Sequence, residues 1–87
     1  MIRIAKNEVL DYLQLVHDKN PIHQQLVPGQ LVVEIAKLSL NISWTNYKIK
    51  YVEPVEINEF IQFELAEVGH IIVSNSDKRV KIHILKI

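Results

Sequence analysis

Apolar and polar positions along this chain change their period once, close to Asn41. Before that point apolar residues recur at helical spacing, and after it they alternate. Ile2 and Ile4 flank Arg3 and predict a short opening strand. Asn7 is suited to cap a helix starting near Glu8, in which Val9, Leu10, Leu13 and Val16 share one face while Glu8, Asp11 and Gln14 fall elsewhere. Pro21 has no N–H and disfavours helix at the residue before it, so this helix is expected to end by Lys19. A second helix is predicted from Gln30 to Leu40, with Pro28-Gly29 at its start. Leu31, Val32, Val33, Ile35, Ala36, Leu38 and Leu40 cover most of its circumference, leaving Gln30, Glu34, Lys37 and Asn41 as one narrow polar stripe. A helix this apolar is expected to be buried against something large.

The alternating half supplies that surface. Tyr47, Ile49 and Tyr51 alternate with Lys48 and Lys50; Ile61, Phe63 and Leu65 with Gln62, Glu64 and Ala66; Val80, Ile82 and Ile84 with Lys81 and His83. Each run reads as a half-buried strand, and Ile71 to Ser74 as a shorter one. Asn75-Ser76-Asp77-Lys78 is a turn that makes the last two strands a hairpin, and Gly69 breaks the chain before them. Glu53-Pro54 ends one strand, and the segment to Glu59 connects it to the next. Helices followed by a run of antiparallel strands predict an α+β fold. The expected form is one antiparallel sheet wrapped around one central apolar helix, in a single domain over residues 1–87.

Composition narrows the chemistry. The chain has no cysteine, which excludes disulfides, thiolate metal sites and a thiol nucleophile. Ten Lys and Arg balance ten Asp and Glu, so the basic patch that draws nucleic acid is not expected. Gly29 and Gly69 are the only glycines, which leaves no glycine-rich phosphate loop. No run reaches the length of a membrane span, and Met1–Ile4 does not read as a signal peptide, so a soluble cytoplasmic protein without membrane partners is expected. A chain this short buries a modest core, which favours pairing with a second copy as a homodimer.

The candidate chemistry lies in Asp18-Lys19-Asn20-Pro21-Ile22-His23. Asn20 can cap a short turn with Pro21 at its first position, which sets His23 near the corner that carries Asp18. A carboxylate and an imidazole held at a rigid corner can serve as a general acid–base pair. Gly29 follows at the start of the apolar helix, where backbone N–H groups can receive negative charge.

D-x-N-P-I-H, followed by Val27-Pro28-Gly29 and an apolar helix, resembles the MaoC-like hydratases and dehydratases. The resemblance implies the hotdog fold and chemistry on acyl thioesters. It implies Asp18 and His23 as catalytic residues that hold and activate one water. That water adds to a 2-enoyl thioester or leaves a 3-hydroxyacyl thioester. Asn20 and Gly29 are implied as substrate-binding residues, with Gly29 facing the thioester oxygen. No metal or separate cofactor is implied, because CoA or acyl carrier protein is part of the substrate. Here only five residues, Gln24 to Pro28, separate the histidine from the helix glycine, so the chain resembles a shortened member. Two other readings remain open: a non-catalytic hotdog module that binds acyl thioesters or serves in subunit assembly, and a thioesterase, from which the motif points away.

The remaining polar residues have structural readings. His17 is expected on the side of the first helix, and His70 and His83 at the surface, without the spacing of a zinc site. Glu34 and Lys37 read as a solvated pair. Trp44, Tyr47 and Tyr51 read as core or interface residues.

Overall fold

The computed structural model describes residues 1–16 and 26–87. The elements in chain order are α1 (Lys6–Leu15), β1 (Leu26–Val27), α2 (Gly29–Ser39), β2 (Tyr47–Tyr51), β3 (Val55–Glu56), β4 (Ile61–Glu67), β5 (His70–Asn75) and β6 (Val80–Lys86). They form an α+β fold with two helices and antiparallel sheets. One sheet has the strand order β2-β6-β5-β4, and β1 pairs with β3 in a separate two-stranded ribbon. Asp18, Asn20, Pro21 and His23, with His17, lie outside the described residues.

Helix α1 starts at Lys6, two residues earlier than the Asn7 cap predicts. Ala5 is the N-cap, and Glu8 Oε1 accepts the Ala5 N–H at 3.3 Å. Alanine has no acceptor of its own, so this is half of a capping box, and it places Asn7 inside the first turn. Val9 and Leu13 are the buried residues of α1. Before it, Ile2 pairs with Ile61, and Ile4 is buried while its carbonyl accepts the Asn58 N–H at 2.9 Å. The opening strand is therefore one bridge beside β4.

Helix α2 ends in a Schellman motif. Asn41 takes a positive φ of 54°, its N–H donates to Leu38 O, and Ile42 N–H donates to Lys37 O at 2.8 Å. This is the physical event behind the change of period at Asn41. Val32, Val33 and Ala36 are fully buried, whereas Leu38 is 80% exposed. The all-round apolar pattern thus resolves into one buried face, one apolar edge in the open, and the polar stripe. Glu34 and Lys37 are half-buried rather than a solvated pair, because both meet Tyr47 of β2. Tyr47 Oη donates to Glu34 Oε1 at 3.4 Å, Gln30 Nε2 donates to Tyr47 Oη at 3.3 Å, and Lys37 Nζ sits 4.5 Å from the Tyr47 ring centroid. A phenol offers a polar tip and a π face together, so one residue can occupy three polar side chains.

The buried hydrophobic residues form one cluster that joins Ile4, α1, α2, the β1–β3 ribbon and the inner faces of β4, β5 and β6. Trp44, Tyr47 and Phe63 pack around its edge. Between β4 and β5, Gly69 has φ +84°, the value that the third position of a type II turn requires.

The link from β2 to β4 is held by Lys81 of β6. Its carbonyl accepts the N–H groups of both Val52 and Glu53, and Nζ donates to Pro54 O at 3.1 Å and pairs with Glu59 Oε2 at 3.0 Å. Asn75 Nδ2 donates to the same Glu59 oxygen, and the Glu56 N–H donates to the other. Alternation alone puts Lys81 in solvent. A register shift between Val73 and Ser74 breaks the alternation here, and Lys81 is only 7% exposed. Burial by itself pushes the Glu59 carboxyl up. The hydrogen bonds from Glu56, Asn75 and Lys81 and the Lys81 charge outweigh it, leaving Glu59 below its ordinary value of 4.5. A depressed folded-state value means that this stabilisation is present above the ordinary carboxylate range and is lost as pH falls through the folded value. Urea unfolding at pH 7 and pH 3 should therefore show a larger loss on acidification for the native chain than for Glu59→Gln; equal losses would refute the role given to Glu59.

Candidate functional site

The N-terminus of α2 opens onto an apolar cavity of about 300 Å³. Its walls come from three places: Leu26 and Val27 of β1, Gly29 and Val32 of α2, and Tyr51 to Val55 of the strand end and ribbon, with Ile82 beneath. The β1–β3 ribbon builds it, through the register Leu26 to Glu56 and Val27 to Val55. Neither strand is long enough to stand out as an alternating run, so the sequence pattern gives no sign of this wall.

Gly29, expected at the helix start, is there at the first position of α2. The structure adds a second reason for glycine. A Cβ at this position would lie 2.3 Å from Tyr51 Cε1 and 3.0 Å from the Tyr51 hydroxyl oxygen. Tyr51 therefore leans across the helix entry, with its phenol oxygen close to the Gly29 backbone. Burial first, and then the neighbouring Tyr47, raise the Tyr51 pKa, so the hydroxyl remains a neutral donor at physiological pH. Nothing in the spacing of residues 29 and 51 announces this contact.

A polar cleft of about 310 Å³ adjoins the cavity through Leu26, Glu53 and Pro54. It is lined by the Lys81–Glu59–Asn75 network and by Arg79, which is paired with Glu53 through Nε at 3.1 Å and through Nη2. Its cations are thus already matched to carboxylates. Among the described residues, no group of three or more His, Asp or Glu side chains is arranged to hold a metal ion.

His70 and His83 are both half-buried rather than surface residues, and they touch: His70 Nε2 lies 2.9 Å from His83 Nδ1. The rings are tilted by 34° with centroids 5.1 Å apart. Burial, then His70, then Lys50 lower the His83 pKa. The turn held a signal for this contact, because a two-residue loop at Ser76-Asp77 brings residues 70 and 83 opposite each other. The actual register pairs His70 with Leu85 and Ile72 with His83, so the two histidines meet on the diagonal.

Of the sequence-predicted site residues, the structure locates Gly29 on the cavity wall, while Asp18, Asn20 and His23 lie outside the described residues. In sequence, Leu26 and Val27 follow closely after them. No family model, curated protein or solved structure matches the chain.

Gly29→Ala should destabilise by about 1–3 kcal/mol, toward the low end because the 57% exposed Tyr51 ring has room to swing away. The penalty should vanish in a Tyr51→Ala background. A thermal-unfolding double-mutant cycle with no coupling would show that the close approach is unimportant.

Proposed function

We propose that this domain is a small MaoC-like hydratase or dehydratase of acyl thioesters, with a hotdog-like arrangement of its sheet around α2. The observation that carries this reading is the apolar cavity at the α2 N-terminus, whose wall begins at Leu26, with only Gln24 and Gln25 between it and the D-x-N-P-I-H segment. His23 is three residues from Leu26 in sequence, and three residues of chain span at most about 11 Å. A volume of about 300 Å³ is at the lower end of small-molecule sites, roughly 300–1,000 Å³, and suits a short acyl group.

In the proposed reaction Asp18 and His23 hold one water. Its oxygen bonds to C3 of the enoyl group as one proton leaves it, and a proton is delivered to C2. The reverse direction removes the same water from a 3-hydroxyacyl group. Negative charge gathers on the thioester oxygen in between, and the Gly29 N–H at the head of α2 is the donor proposed to receive it. Imidazole titrates near neutrality, which suits either direction. Asn20 is assigned to substrate binding. CoA or acyl carrier protein arrives as part of the substrate, in a soluble cytoplasmic setting.

The reading includes a side-by-side homodimer. Supporting it are the edge strands β2 and β4, the latter bridged at Ile61 by Ile2 among the described residues, and the exposed apolar side chains Leu38, Phe60 and Leu65. A non-catalytic acyl-binding module is the second reading. It is favoured by the short Gln24–Pro28 connection and by Tyr51 leaning over the helix entry.

Hydration of crotonyl-CoA, followed by loss of enoyl absorbance, decides between them. Asp18→Asn should lower turnover about a hundredfold or more with the fold intact, as should His23→Ala. Binding of the thioester without turnover in the native chain would leave the module. Light scattering should give twice the chain mass at micromolar concentration, and a monomer would remove the dimer from the proposal.

A further inference from the structure

The outer face of the sheet carries chemistry that the cavity does not use. Ile71 and Ile84 are fully buried on the inner face, so their neighbours His70 and His83 project from the other side. Strands β5 and β6 are the two interior strands of the sheet, each paired on both sides, so the backbone beneath the histidines is fixed. Two imidazole nitrogens, His70 Nε2 and His83 Nδ1, face each other at 2.9 Å.

We propose that His70 and His83 form a two-histidine chelate for a divalent transition-metal ion, with Cu²⁺ and Ni²⁺ held in preference to Zn²⁺. Metal–imidazole bonds run about 2.0–2.1 Å. Two nitrogens 2.9 Å apart at those bond lengths subtend about 90° at the metal. That is the angle between adjacent ligands of a tetragonal or square-planar ion, the preference of Cu²⁺ and Ni²⁺. A tetrahedral Zn²⁺ site needs the nitrogens about 3.3 Å apart. The general affinity order points the same way, since Cu²⁺ exceeds the other divalent first-row ions at a given nitrogen site.

The exchange balances. In the neutral pair one ring N–H donates to the other ring's nitrogen. Metal binding replaces that hydrogen bond with two N–metal bonds, and the donor ring takes its proton at its far nitrogen instead. Each ring stays neutral, and no oxidant or reductant is needed. Water fills the remaining positions. The surroundings are asymmetric. Lys50 lies across from His83 and Lys48 across from Leu85, while Glu67 lies across from His70 and Glu64 across from Ile72. The carboxylate flank on β4 is therefore the side from which a cation approaches.

The test is a calorimetric titration of the full-length chain with Cu²⁺, Ni²⁺ and Zn²⁺ in turn, with electron paramagnetic resonance of the Cu²⁺ form. The expected result is one Cu²⁺ site per chain, with nitrogen coupling from two imidazoles and affinity in the order Cu²⁺, Ni²⁺, Zn²⁺. His70→Ala and His83→Ala should each weaken Cu²⁺ by roughly tenfold or more, the scale on which even supporting groups of a metal site act. His83→Gln, which keeps a polar side chain on the strand, should do the same with an unchanged circular dichroism spectrum. Equal Cu²⁺ affinity in the native chain and these variants would overturn the site, as would no saturable binding below millimolar. Tightest binding of Zn²⁺ would overturn the stated preference.

Discussion

Two helices and one sheet share a single apolar interior, and that shared burial is the constraint behind every other feature. Val9 and Leu13 from α1, Val32, Val33 and Ala36 from α2, and Ile61, Ile71, Val73, Ile82 and Ile84 from the sheet belong to one cluster. Among the described residues its fully buried members are aliphatic and mostly β-branched, and Trp44, Tyr47 and Phe63 stand around it. Branched side chains pack well on a pleated face but do not reach far from it. Where the sheet face ends, at the head of α2, they leave a gap, and the cavity beside Gly29 and Val32 is that gap.

The chain encloses this space with two local devices. Lys81 gathers the link from β2 to β4, taking two N–H groups on its carbonyl and giving its ammonium to Pro54 and Glu59. A buried charge is costly unless matched, and here a carboxylate and a carbonyl match it. The ribbon of Leu26–Val27 with Val55–Glu56 then forms the outer wall. In sequence, Leu26 of this ribbon follows closely after the segment carrying Asp18 and His23.

The two faces of the sheet have separate chemistry. The inner face ends in an apolar space, and the outer face presents two touching imidazoles over interior strands. A rigid interior strand pair can carry a function on its outer face without disturbing the core beneath it.

Periodicity determined the two helices, the alternating strands over Tyr47–Tyr51, Ile61–Leu65 and Val80–Ile84 and the α+β class, and the glycine itself marked the break at Gly69. These are local consequences of which side chains one element turns toward one interior. Gly29 was likewise legible, as a residue type at a helix entry. Tertiary structure decided the rest. Whether Leu38 is covered depends on how far the sheet extends, and it leaves Leu38 bare. Whether Lys81 faces water depends on a bulge between Val73 and Ser74, and a bulge has no periodic signature. The β1–β3 ribbon pairs residues far apart in sequence across strands of two residues each, too short for any pattern to repeat. Tyr51 over Gly29 and His70 beside His83 depend on register, and one step of register changes which side chains meet.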